Sequence, residues 1–119
     1  MKNDNVIIDK SKAFALRVIK LYKYLTDNYH ILPVANQILK SGTSIGANVK
    51  EAIRAQSKPD FYAKMNIALK ECSETEYWLE LLHESDYISK DQFKSIYSDC
   101  KEILRILMSI TKTQNNSNS

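Results

Sequence analysis

Apolar residues recur at helical spacing in four stretches of the chain. The first stretch predicts a helix that begins after a cap at Asp9 or Ser11 and ends near Asp27 or Asn28. Its apolar positions are separated by three or four residues, which is typical of one face of an α-helix and not of a strand. This stripe consists of Phe14, Val18, Leu21, Tyr22 and Leu25.

A second helix is predicted from Pro33, which suits a first helical turn, to about Ser57. Both glycines of the chain, Gly42 and Gly46, fall inside it among other small residues. Because a glycine in a helix interior costs about 1 kcal/mol relative to alanine, we expect a neighbouring backbone to approach closely there. A glycine-rich phosphate loop is the alternative, but the segment lacks a preceding strand and the P-loop spacing. The predicted inner face consists of Ile38, Gly42, Ile45, Val49, Ala52 and Ile53.

Residues 57–60 predict a turn with a helix cap, and the third helix that follows has the clearest pattern in the chain. Its apolar positions form the heptad seam of a bundle or coiled coil. A fourth helix is predicted to begin after a cap at Ser89 or Asp91 and to run to about Thr111. The main stripes are Phe61, Met65, Ala68, Cys72, Thr75, Leu79 and Leu82 in the third helix and Phe93, Tyr97, Cys100, Leu104 and Leu107 in the fourth.

Four helices joined by short connections pack antiparallel to their neighbours. The predicted fold is therefore all-α, an antiparallel up-down-up-down four-helix bundle. A chain of 119 residues suits one domain. Residues 11–111 are assigned to the bundle, residues 1–10 to a flexible N-terminal arm, and the polar residues 112–119 to a disordered tail.

The third and fourth helices carry more apolar residues than one stripe each requires. The surplus suggests a second buried surface, used for self-association or for a partner. The alternative is that these residues are the broad inner faces of a compact monomer. The surplus consists of Ile67, Trp78, Leu81, Ile96, Ile103 and Ile110, of which Ile67, Trp78, Leu81 and Ile103 are the candidates for an oligomer interface.

Charge is segregated along the chain, although the net charge is only +3. The first, second and fourth helices are basic and the third is acidic. Basic stripes on helices can follow a phosphate backbone, whereas the alternative is a set of solvated outer faces. The candidate phosphate contacts are Lys12, Lys20, Lys23, Lys50, Arg54, Lys94, Lys101 and Arg105.

Residues with catalytic or metal-binding chemistry are sparse. His30 and His83 each lack a spaced set of further ligands, so we expect no metal and no cofactor. Glu71 and Glu74 lie one turn apart and could form a carboxylate pair for acid–base chemistry. Alternatively, they accept hydrogen bonds from Asn48 or Arg54 at a helix interface. We expect a protein that is not an enzyme and takes no small-molecule substrate.

Cys72 and Cys100 both fall on apolar helix faces. The simplest interpretation is a pair of small buried hydrophobic residues, with a disulfide or a reactive thiol as the alternatives. The first residues do not resemble a signal peptide, and no apolar run approaches the length of a membrane span. The sequence therefore predicts a cytoplasmic protein that does not enter a membrane.

A motif in the second helix resembles a known bacterial family. Leu32-Pro33 is followed by a basic residue and then by Ser-Ile-x-x-Asn-x-x-Glu-Ala. Over roughly residues 12–108 the chain resembles the proteins encoded in intervening sequences of 23S ribosomal RNA genes. The accessory variability determinant of diversity-generating retroelements looks like a relative. The matching positions are Lys40, Ser44, Ile45, Asn48, Glu51, Ala52 and, in the third helix, Glu74.

The resemblance implies an up-down four-helix bundle that assembles as a ring-like homopentamer and offers a basic surface to nucleic acid. It implies a reverse-transcriptase partner for the retroelement relative. Asn48, Glu51 and Glu74 are the expected structural polar residues. Two departures are Ala52, where many members have glycine, and a lower net charge than a strong nucleic-acid binder would carry.

Three functions remain open on these grounds. The first is a homo-oligomeric, pentameric adaptor that binds RNA or an RNA–protein complex through basic helix faces, with phosphate contacts and not base contacts. The second is a protein-interaction module that binds no nucleic acid and uses the apolar surplus and the acidic third helix. The third is an enzyme with a carboxylate site in the bundle.

Overall fold

A computed structural model describes the backbone of residues 2–117 and the side chains of residues 5–113. The described part folds into four helices, α1 Lys2–Asn28, α2 Leu32–Ile53, α3 Lys58–Glu84 and α4 Lys90–Ser117. Each helix packs on the next in chain order, and α4 also packs on α1. The result is an elongated bundle of 48 × 22 × 21 Å. The predicted all-α four-helix bundle is confirmed.

Capping side chains fix the starts of α3 and α4. Ser57 accepts a hydrogen bond from the backbone N–H of Asp60, 3.2 Å away. At α4 the cap is Ser89 and not Asp91, because Ser89 and Gln92 form a reciprocal capping box. The Gln92 N–H donates to Ser89 Oγ at 3.1 Å, and the Ser89 N–H donates to Gln92 Oε1 at 2.7 Å.

The boundaries of α1 and α2 differ from the predicted ones. The helix α2 ends at Ile53, short of Ser57. At the other end of the bundle, α1 begins at Lys2, so residues 2–10 are helical and not a flexible arm. The cause is Ile7, which is fully buried and continues the core face of α1 by two further turns. Ser11 is consequently an internal residue whose hydroxyl donates to the Ile8 carbonyl, not a cap.

The predicted disordered tail is also helical as far as Ser117. Neither glycine nor proline follows Thr111, so nothing in the sequence stops the helix there. Thr113 supports the extension by donating its hydroxyl to the Ser109 carbonyl at 3.2 Å. Residues 1, 118 and 119, which belong to the predicted arm and tail, lie outside the described residues.

The core line of each helix is close to the predicted stripe but rotated in places. In α3, Tyr62 is buried while Phe61 is only half-buried. In α4 the rotation is larger and reaches Ile103, which is 1% exposed and therefore cannot belong to an oligomer interface. Each helix touches two neighbours, so its buried arc is wider than a single seam. The buried line of α4 consists of Ile96, Cys100, Ile103, Leu107 and Ile110.

Small residues bring α1 and α2 close together, as the two glycines predict. A Cβ atom added to Gly42 would lie 2.7 Å from a methyl carbon of Val18. One added to Gly46 would lie 3.4 Å from the carbonyl oxygen of Ser11, which is an ordinary contact. The tight point of the α1–α2 contact is therefore Gly42 against Val18.

Two side-chain pairs connect α3 to its neighbours inside the core. The hydroxyls of Thr75 in α3 and Ser41 in α2 are hydrogen-bonded at 2.9 Å, and both residues are buried. On the opposite side, the sulfurs of Cys72 and Cys100 lie 3.8 Å apart as free, buried thiols. A hydrogen bond to Cys72, together with burial, raises the pKa of the Cys100 thiol, so it stays protonated near neutral pH. The two cysteines thus act as core residues.

We expect Gly42→Ala to lower the free energy of unfolding by about 1–3 kcal/mol, because the added methyl group overpacks the contact with Val18. Gly46→Ala is the matched control. It meets only an ordinary contact and replaces glycine in a helix, so it should raise the free energy of unfolding by up to about 1 kcal/mol. Urea denaturation of the two variants measures both values. Equal effects at the two positions would contradict the close approach at Gly42.

Thr75→Val should lower the free energy of unfolding by about 1–3 kcal/mol, because the buried Ser41 hydroxyl loses its partner while the side-chain shape is kept. Adding Ser41→Ala removes the unpaired group and should recover part of this loss. A double-mutant cycle measured by urea denaturation gives the coupling between the two residues. A cycle with no coupling would show that the pair does not stabilise the α2–α3 contact.

Candidate interaction surfaces

Three of the predicted phosphate contacts meet at one place. Lys12 from α1 and Lys50 and Arg54 from α2 line a groove of about 490 Å³ between these helices, which we call the basic groove. All three side chains are exposed, and none makes an ion pair within the described residues 5–113. The remaining lining residues are Ile8, Ser11, Ala15, Thr43, Gly46, Ala47 and Ile53.

The groove follows from the close packing of α1 on α2. Ala15, Gly46 and Ala47 have little or no side chain, so nothing fills the space above the seam between the two helices. Ile53, predicted to face the core, lies in this groove and is 40% exposed. The groove therefore combines a small, partly apolar floor with unpaired cations. Sequence reasoning found the cations and the glycines but did not connect them into one surface.

Three further predicted contacts, Lys20, Lys94 and Arg105, are exposed and also have no ion pair among the described residues. They lie on α1 and α4, away from the basic groove. These three side chains, which we call the outer cations, are free to meet an external anion.

The other two predicted contacts have partners within the chain. Lys23 lies 3.4 Å from Asp27 one turn later in α1, and both side chains are largely exposed. Lys101 lies 2.9 Å from Glu76 of α3, and its ammonium stands over the ring of Tyr97. The hydrogen bond to Glu76 raises the pKa of Lys101. Lys101 therefore ties α4 to α3 and is less available to phosphate than its sequence position suggests.

Two further basic residues of α1 form ion pairs with acidic residues of α4. Lys10 pairs with Glu102 at 2.8 Å, and Arg17 pairs with Asp99 at 2.6 Å. Arg17 also donates to the Ser95 hydroxyl at 2.9 Å. Part of the basic charge of α1 is thus neutralised by acidic residues of α4.

The outer side of α3 is both apolar and acidic. Ile67 and Tyr77 are 42% and 54% exposed, and Trp78 and Leu81 are half-buried, so three of the four predicted interface residues reach the surface. Sequence reasoning missed Tyr77 because, at 100° per residue, it lies on the side of α3 opposite the heptad seam. We call this surface the α3 face and define it as Ile67, Glu71, Glu74, Tyr77, Trp78 and Leu81.

The two carboxylates of the α3 face have no ion pair within residues 5–113. Glu74 accepts a hydrogen bond from Trp78 Nε1 at 3.3 Å. Burial raises the pKa of Glu71, the negative charge of Glu74 adds to the rise, and Lys40 and Lys70 only partly offset it. Neither carboxylate is therefore neutralised by an ion pair within these residues.

The predicted hydrogen bonds from Asn48 or Arg54 to these carboxylates are absent from the described contacts. Asn48 donates to the Ser44 carbonyl of its own helix at 2.8 Å. Arg54 is the C-cap of α2 and lines the basic groove on the side of α1, so it does not face α3. Glu51, which is exposed, lies 3.7 Å from Lys64 of α3. Of the motif residues, Asn48 therefore bonds within α2, and Glu51 links α2 to α3.

Within the described residues, no group of three or more His, Cys, Asp or Glu side chains is placed to hold a metal ion. Among the same residues, no helix has both the length and the apolar character needed to cross a membrane.

Comparisons with known proteins agree with this architecture. No curated protein matches the chain. A crystal structure of a protein of unknown function from the S23 ribosomal protein family of Bacteroides thetaiotaomicron VPI-5482 is 53% identical. The match covers 92% of this chain and 98% of that chain, with a TM-score of 0.87. The model of the 23S rRNA-intervening sequence protein family matches residues 3–109. The chain therefore belongs to the 23S rRNA-intervening sequence protein family.

Proposed function

We propose that the protein is a non-enzymatic, homo-oligomeric adaptor that binds RNA, or an RNA–protein complex, through its basic helix faces. A pentamer in the cytoplasm is the assembly that we propose. The observation that carries the RNA part is that Lys20, Lys94 and Arg105 are exposed and have no ion pair within the described residues. A lysine or arginine without an internal partner gains most from a phosphate, since no existing pair is broken.

The outer cations suit phosphate contacts better than base contacts. Lys94 and Arg105 lie on one side of α4 and are separated by about 17 Å along the helix axis. Successive phosphates of one strand fall within that distance. Contacts of this kind position a protein on a nucleic acid without reading its sequence. The modest net charge of +3 agrees with weak contacts that are repeated by each copy of an oligomer.

The family's description names the 23S rRNA in whose gene the intervening sequence lies, so 23S rRNA is the first RNA to test for binding. The Bacteroides relative is described as a protein of unknown function, so it suggests no reaction. The two buried free thiols, Cys72 and Cys100, suit a reducing compartment such as the cytoplasm.

A protein-interaction module without nucleic acid is the second candidate. It is favoured by the exposed apolar residues of the α3 face, Ile67 and Tyr77 above all. The pairing of Lys101 with Glu76 also removes one cation from the basic stripe of α4. In this function, binding is insensitive to salt and no RNA is retained on purification.

Combined reversal of the outer cations, Lys20→Glu, Lys94→Glu and Arg105→Glu, should reduce RNA affinity at least about tenfold at low salt. The slope of log affinity against log salt should fall by about 2, since each lost phosphate contact removes about 0.7 for a single strand. Fluorescence anisotropy with a labelled single-stranded RNA at several salt concentrations measures both quantities.

Lys58→Glu is the matched control for the single variant Lys94→Glu, because Lys58 is an exposed lysine outside the basic stripes of α1 and α4. It should change affinity less than Lys94→Glu does. An unchanged affinity and an unchanged salt slope in the triple variant would refute RNA binding by the outer cations.

A further inference from the structure

We propose that the basic groove between α1 and α2 receives the α3 face of a second copy of the chain. This inference rests on the proposed homo-oligomer and specifies its contact surface. It makes the contact head-to-tail, since each copy offers a groove to one neighbour and an α3 face to the other.

Charge complementarity is the first argument. The basic groove carries Lys12, Lys50 and Arg54, none of them ion-paired within residues 5–113. The α3 face carries Glu71 and Glu74, which lie one helical turn apart and have no ion pair within residues 5–113. Cations from the groove of a second copy compensate this pair, and complementary potentials of this kind fix the register of an interface.

Apolar surface is the second argument, and it favours a second copy over RNA in the groove. The floor of the groove includes Ile53, which is 40% exposed, together with Ile8 and Ala15. The α3 face contributes Ile67 and Tyr77, which are 42% and 54% exposed. A phosphate backbone would pair with the cations but would leave this apolar surface in water, whereas a helix face covers both.

The shape of the groove suits a helix. Gly46, Ala47 and Ala15 form a shallow, smooth path between α1 and α2, so the side chains of a third helix can enter as a ridge. Ile67 and Tyr77 are the large exposed side chains of the α3 face for this insertion, and aromatic anchors such as Tyr77 dominate interface energetics.

The position of the two surfaces determines what the contact builds. The helix α2 borders the basic groove on one side and contacts α3 on the other. On α3, Cys72 faces α4 and Thr75 faces α2. At about 100° per residue, Ile67, Glu71 and Trp78 then lie on the side away from α4, towards α2. The groove and the α3 face are therefore on adjoining sides of the bundle, and repeated head-to-tail contacts between them form a ring where their rotation closes.

The test is the assembled mass of charge-reversal variants, measured by light scattering after size exclusion. Wild type should have the mass of several chains. Glu71→Lys with Glu74→Lys, and separately Lys50→Glu with Arg54→Glu, should each weaken association by about 100-fold or more and give the 13.7 kDa of one chain. Combining all four substitutions in one chain restores opposite charges across the contact and should restore the multi-chain mass.

Lys90→Glu with Lys112→Glu is the charge-matched control for the groove variant, because both are exposed lysines of α4 outside the groove and the outer cations, and Glu84→Lys controls for the α3 face. Both should keep the wild-type mass. Circular dichroism should show the same helix content for every variant, so that loss of mass reports loss of association and not unfolding. The fourfold variant provides an independent check, since a misfolded chain would not be rescued.

A wild-type monomer, or a multi-chain mass that survives both double reversals, would overturn the proposal. So would a Lys50→Glu and Arg54→Glu variant that keeps its mass but loses RNA, since RNA would then occupy the groove. RNA binding is tested separately from the contact. A multi-chain assembly that does not bind RNA agrees with the contact and refutes RNA binding. A wild-type monomer that binds RNA removes the contact and the proposed homo-oligomer, and leaves RNA binding intact.

Discussion

The close approach of α1 and α2 is the constraint on which the other surfaces depend. Val18 occupies the space that a side chain at position 42 would need, so the two helices pack with their backbones near each other. Side chains as small as Ala15 and Ala47 border the same seam. The packing that stabilises this part of the bundle therefore also leaves a groove above it, and the stability and the proposed contact surface have one cause.

The four seams of the bundle use their polar residues differently. Ion pairs cross α1–α4 at Arg17 and Asp99, α2–α3 at Lys64 and Glu51, and α3–α4 at Lys101 and Glu76. Within the described residues, the α1–α2 seam has no ion pair, and its cross-helix side-chain hydrogen bond, between Tyr22 and Asn36, lies away from the groove. Since cations at the other seams are neutralised by acids of the neighbouring helix, those at α1–α2 are left for an external partner.

Sequence spacing predicted most of the fold because each element rests on a local signal. The heptad of α3 identified Met65 and Leu79 as core residues, and the glycines of α2 predicted close packing. The prediction from sequence spacing failed where the burial of a side chain depends on neighbours that are distant in sequence. Ile103 looked like surplus because the rotation of α4 is set by contacts with both α1 and α3. Residues 2–10 looked like an arm because one buried residue, Ile7, is a weak periodic signal.

For the same reason, the sequence predicted only part of the candidate surfaces. Cations can be counted along a chain, but whether a cation is free depends on which acid the fold places beside it. Lys101 and Lys50 are similar in sequence terms, yet only Lys101 has an acidic partner within the described residues. In the contact that we propose, Glu71 and Glu74 neutralise the cations of the groove of a second copy, and the outer cations of each copy remain. Each copy in the oligomer then presents the same basic residues, and RNA contacts that are weak singly add up to stronger binding.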